Sequence, residues 1–146
     1  MFLAVLSFTA PASSTIIENQ ALSFGTFGLR NNSGIYNYVI APSGAITTDA
    51  DIVVVSDGAP GDYTVSGFPA STTLTFQVLG SAPLTLGGTG GGVPFPISSF
   101  TINPNPIVTD GAGSASFTMG ATLSTDGLGT IYGAVSYTHL TLPTKR

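Results

Sequence analysis

Seven carboxylates, Glu18, Asp49, Asp51, Asp57, Asp62, Asp110 and Asp126, are the best-supplied reactive groups in this 146-residue sequence. Asp49, Asp51, Asp57 and Asp62 lie close together in the chain, mostly in turn-like segments, and offer the hard oxygen donors that calcium takes. The set lacks the donor spacing and terminal Glu of an EF-hand, and Ile52–Val55 reads as a strand between its halves. The simpler reading is that Asp closes turns through its own side chain, since most of these acids adjoin Gly or another turn residue. Paired carboxylates also hydrolyse glycosides, but that work needs one raised pKa, and nothing in the flanking sequence argues for one. Nucleophilic catalysis has less to draw on, because the sole imidazole is His139 and there is no cysteine. No catalytic residue is assigned, and the expectation is a protein that is not an enzyme and needs no cofactor, calcium being the one candidate.

Three further patterns invite chemistry. Tyr36 and Tyr38, two apart in a strand-like run, share one sheet face; exposed, they would stack on sugar rings, and buried, they would pack with Ile40. The run at 87–92, Gly-Gly-Thr-Gly-Gly-Gly, resembles a phosphate loop in composition only: Pro94 and Pro96 follow, so no helix N-terminus is available and the run is a connector. Asn31-Asn32-Ser33 meets the N-glycosylation sequon, which matters only in a eukaryotic secretory pathway.

Something must position these groups, and the composition narrows what. Three Lys/Arg cannot neutralise a run of phosphates, which excludes nucleic acid as a partner. Hydrophobic residues make up 42% of a chain with net charge −4, a balance that favours a folded domain over disorder. Helix formers are scarce, and nowhere do apolar residues recur with helical period over three turns. Short alternating runs recur instead, at Ala21–Phe27, Ile35–Ile40, Asp51–Val55, Tyr63–Ser66, Thr73–Leu79, Ser99–Asn103, Ser114–Met119 and Thr130–Ala134. Their apolar positions predict a core of Leu22, Phe24, Tyr36, Tyr38, Ile40, Tyr63, Val65, Leu74, Phe76, Val78, Phe100, Ile102, Phe117 and Met119. Gly, Pro, Asn and Asp punctuate the gaps. The expected fold is all-β, a single antiparallel β-sandwich of about seven to nine short strands, immunoglobulin-like or fimbria-like.

The ends read differently from the middle. The apolar run Phe2–Phe8 followed by Ala10-Pro11-Ala12 reads as the remainder of a signal peptide over residues 1–12, with an apolar N-terminal strand as the alternative. It is too short for a membrane span, which needs about 20 apolar residues. Export follows, to a secreted, periplasmic or cell-surface location. Val135–Lys145 resembles a translated transposase mosaic end followed by a sequencing adapter, the alternative being a genuine last strand. On that resemblance the domain is 13–134, residues 135–146 are a foreign tail, the last natural strand is truncated, and Arg30 stands alone against the seven acids.

Between the ends, Ala21-Leu22-Ser23-Phe24-Gly25-Thr26-Phe27 resembles the opening strand of a bacterial family of exported, fimbria-like β-sandwich proteins, domain of unknown function 4402. Ala41-Pro42-Ser43-Gly44, Tyr63-Thr64-Val65-Ser66-Gly67, Phe117-Thr118-Met119-Gly120-Ala121-Thr122-Leu123 and Gly129-Thr130-Ile131-Tyr132-Gly133 are similar to later segments of that family, in order. The family carries no established catalytic residues. The resemblance implies a surface or fimbria-like structural or adhesin-type subunit, joined to other surface or pilus subunits by strand pairing. A carbohydrate- or calcium-binding sandwich module is the alternative.

Overall fold

The computed structural model describes residues 13–78 and 95–129, and the backbone of three short strands at 2–4, 84–86 and 135–137. The expected strand at Thr130–Ala134, the glycine run at 87–92, His139 and the basic end of the tail lie outside the described residues. In chain order the strands are β1 (Phe2–Ala4), β2 (Thr15–Gln20), β3 (Gly25–Leu29), β4 (Asn37–Ile40), β5 (Ile46–Thr48), β6 (Ile52–Ser56), β7 (Gly61–Ser66), β8 (Thr73–Leu74), β9 (Phe76–Val78), β10 (Leu84–Leu86), β11 (Phe95–Asn103), β12 (Ile107–Val108), β13 (Ala115–Ser124) and β14 (Val135–Tyr137). The fold is all-β, with every pairing antiparallel and no helix among the described residues. The strands are more numerous than expected, because β2, β5 and β12 form where no run was predicted and one predicted run divides, while β11 and β13 extend beyond their predicted runs. The run that divides, Thr73–Leu79, becomes β8 and β9 on either side of Thr75.

The organising element is β13, a ten-residue strand that buries Phe117, Met119, Ala121 and Leu123 on one face. One edge pairs with β11. The other edge is divided: Ala115–Met119 pair with β7, and Ala121–Ser124 with β4. Gly120 stands at the division. A β-carbon there would collide with the Ile40 carbonyl oxygen and lie 2.8 Å from the backbone of Ala41 and Pro42, so only glycine lets β4 approach. Beyond β7 and β4 the sheet ends in β2 and β5. A second layer is built from β14, β3 and β6, and β8 pairs separately with β12.

Ring contacts join the layers. Phe27 of β3 sits 5.5 Å from Tyr38 and 6.5 Å from Phe95, while Phe76 of β9 stacks on Phe117 at 4.5 Å. Most of the expected core is buried, but Tyr36, Val78, Phe100 and Ile102 are only half-buried against it. Phe27, Leu29, Ile52, Phe68, Phe95, Ile97, Ile107, Ala121 and Leu123 complete the core and were not expected. Two local devices explain much of the difference. Gly25, the first residue of β3, turns the chain after Phe24 with φ +65°, where a side chain would strike the backbone oxygens of Ser56 and Asp57. In β11 the register shifts between Ser98 and Thr101 and Ser99 has φ +51°, so the inward positions change from odd (Phe95, Ile97) to even (Phe100, Ile102).

Candidate functional site

The carboxylates of Asp49, Asp110 and Asp126 accept backbone N–H groups. Asp49 carries the β4–β5 ladder one step further: its Oδ2 accepts the Asn37 N–H at 2.7 Å, and its own N–H donates to the Asn37 carbonyl at 3.1 Å. The Asp51 carbonyl accepts the Arg30 N–H at 2.8 Å. Asp62 on β7 takes a long hydrogen bond from Asn19 Nδ2, 3.4 Å. Asp110 Oδ1 accepts the N–H groups of Ala112 and Ser114, both at 2.9 Å, which closes the turn into β13. The calcium set Asp49, Asp51, Asp57 and Asp62 is not gathered: among the described residues no three His, Cys, Asp or Glu come close enough to hold a metal ion. The physical reason is β6, an extended segment that holds Asp51 and Asp57 roughly 16–20 Å apart.

The tyrosine pair also resolves against an exposed stacking platform. Tyr38 is fully buried, ringed by Phe24 and Phe27, and its Oη accepts the Gly58 N–H at 3.2 Å. Burial, chiefly, and the nearby Asp57 charge push its pKa above the ordinary 10.0, while the Gly58 hydrogen bond works the other way. Tyr36 is half-buried, and its hydroxyl accepts Asn31 Nδ2 at 3.3 Å. No shared face remains for a sugar ring. The sequon asparagine, Asn31, is exposed and folded into an Asx turn, with its Oδ1 on the Ser33 N–H at 2.9 Å.

One functional-looking cluster has no counterpart in the sequence reading. Asn32 is fully buried, and its Nδ2 donates to Asp126 Oδ1 at 2.6 Å. Its Oδ1 accepts the Gly127 N–H at 3.3 Å and its carbonyl accepts the Gly129 N–H at 2.7 Å. Thr125 adds a bond from the Tyr36 N–H to its Oγ1 at 2.9 Å and another from Oγ1 to the Gly34 carbonyl at 3.1 Å. This latch joins two loops more than ninety residues apart in the chain, and on it stand the exposed Ile35 and Leu128. No local pattern announces a partnership at that separation.

The surfaces left open are sheet edges. Among the described residues, β2, β5 and β6 each have a side without a partner strand. The β2 edge is guarded by Glu18 and by a register shift between Glu18 and Gln20, with Asn19 Nδ2 folded back onto Thr64 Oγ1 at 2.8 Å. β5 is only three residues long. β6 is β-branched through Val55, with Val53 and Val55 exposed.

Antiparallel strands in two layers, with no helix among the described residues and no cluster of acids able to hold a metal there, define an all-β domain. Residues 15–138 match the family described as domain of unknown function DUF4402, and the chain belongs to that family. No curated protein and no solved structure matches the chain.

Proposed function

We propose that the protein is a non-catalytic, exported bacterial surface subunit of fimbria-like or adhesin type, assembling with other subunits through strand pairing. The observation that carries the reading is the set of sheet edges with no partner strand among the described residues, above all β6, since such an edge is a template for another strand. The apolar run Phe2–Phe8 with its small-residue site at Ala10-Pro11-Ala12 supports export. In bacteria producing the full chain, protease added to intact cells is expected to digest the protein, and native gels of the released material to show a ladder of assemblies. A chain that stays in the cytoplasm and remains monomeric at every concentration would overturn the proposal.

A further inference from the structure

Between β9 and β11 lies a cavity of about 410 Å³, lined by Phe76, Gln77 and Val78 of β9, by Ser99, Phe100 and Ile102 of β11, and by Asn105. Its position follows from a strand ladder that stops short. β12 pairs with β8, Ile107 opposite Leu74 and Val108 opposite Thr73. Continuing that register, Asn105 stands opposite Phe76, and here a side chain takes over from main chain. Asn105 Oδ1 accepts the Phe76 N–H at 3.1 Å, and Nδ2 donates to the Phe76 carbonyl at 3.0 Å, the two bonds a neighbouring strand would make. The chain then leaves the ladder, since Asn103 already pairs with Thr118 in the main sheet.

The next place along the ladder, opposite Val78, is therefore the cavity. In a strand, N–H and C=O of alternate residues face the same edge, so those of Val78 face the side that Asn105 occupies at Phe76. β1 lies along the opposite edge of β9, so loss of residues 1–12 on export would leave the Asn105 side of β9 as it is. The wall across the gap is the bulge at Ser99, where β11 steps out of register with β13. Val78, Phe100 and Ile102 are half-buried apolar residues at the margin of the core, and a strand laid here would cover them. No lining residue carries a charge, in a chain whose net charge is −4.

We infer that this gap is an acceptor for an extended, uncharged segment of a partner polypeptide, which continues the β12–Asn105 ladder antiparallel to β9 and lays alternate small apolar side chains against Phe100 and Ile102. The inference rests on the surface-subunit reading for the identity of the partner as another subunit, and it names the site and the chemistry of the strand that reading requires. Two main-chain hydrogen bonds and a small apolar area make a weak contact for a single strand, strengthened where many subunits are linked.

The test uses the full chain and an acetylated, amidated Thr-Val hexapeptide of alternating sequence. Saturable binding is expected, with amide shifts at Val78 and Ser99 in NMR spectra. N-methylation of the peptide's valines removes donors without removing side chains and should weaken binding at least tenfold, as should Phe100→Asp. Because the chain has no cysteine, Ser99→Cys gives a second measurement that leaves the apolar wall intact. That variant should form a disulfide with a peptide whose central cysteine is carried as a 2-thiopyridyl mixed disulfide, the variant's thiolate displacing thiopyridone, faster than Ser43→Cys does. No binding up to about 1 mM, equal binding of the N-methylated peptide, or shifts confined to β2 and β6 would each overturn the inference. Surface assembly without peptide binding would defeat the acceptor site alone, whereas binding by a protein that never leaves the cytoplasm would defeat the surface role alone.

Discussion

Tyr38 and Tyr63 carry phenol hydroxyls into the core, and ionising either inside the fold is costly. Both pKa values are raised, first by burial; the Asp57 charge adds to the effect at Tyr38 and the Glu18 charge at Tyr63. Above the ordinary value of 10.0 the unfolded chain gives up protons that the folded chain keeps, so the slope of unfolding free energy against pH is negative there. Stability from these groups is complete below about pH 10 and is lost as pH climbs toward the folded values. Urea midpoints should be level on the neutral side of that threshold and fall beyond it, and Tyr63→Phe should make the fall shallower. At the latch, Asn32→Ala removes a buried amide with partners on both sides and should cost about 1–3 kcal/mol. Denaturant titration measures that cost, with faster amide exchange at Gly127 and Gly129 as its local signature. Buried tyrosines were foreseeable from alternation with Ile40 and Val65, whereas the Asn32 latch was not, since an asparagine in Asn31-Asn32-Ser33-Gly34 reads as a solvated turn.

Strands with one clean inward face were legible: β4 and β7 alternate in the sequence as they do in the sheet, and so does β13 as far as Met119, where the predicted run ended before Gly120. β2 was not, because five of its six residues are exposed and an edge strand bare on both faces leaves no alternation to read. β11 was half legible, since Pro96 interrupts the strand signal and the bulge at Ser99 reverses which residues point inward. The divided edge of β13 gives the sharpest test at this scale. Gly120→Ala places a methyl against the backbone of Ile40, Ala41 and Pro42, which cannot swing aside as a flexible side chain would. A loss of about 2–4 kcal/mol is expected, at the high end for point substitutions. Gly28→Ala, in the second layer with open space around the new methyl, should be near neutral. Comparing the two by thermal denaturation separates backbone crowding from a general intolerance of side chains at glycine.

For the molecule as a whole, the acidic composition suggested ion binding more strongly than the geometry does. Spacing along a sequence says nothing about direction, and a strand such as β6 carries its two flanking acids to opposite ends. Millimolar calcium is accordingly expected to leave the melting temperature unchanged; a rise of several degrees would mean that the acids assemble a site in solution. The layered all-β plan was legible from punctuation and alternation together, but the way the main sheet is assembled was not. β13 lies late in the chain, yet it is the common partner of β4, β7 and β11, which are made before it. Until Ser124 has been synthesised, those three strands have no shared neighbour and the principal sheet cannot close. Pairings of such long range are slow to form, so a nascent chain cannot complete its principal sheet before β13 has been made. A polypeptide timed in this way stays threadable until β13 has been made, a property that the export proposed above would use.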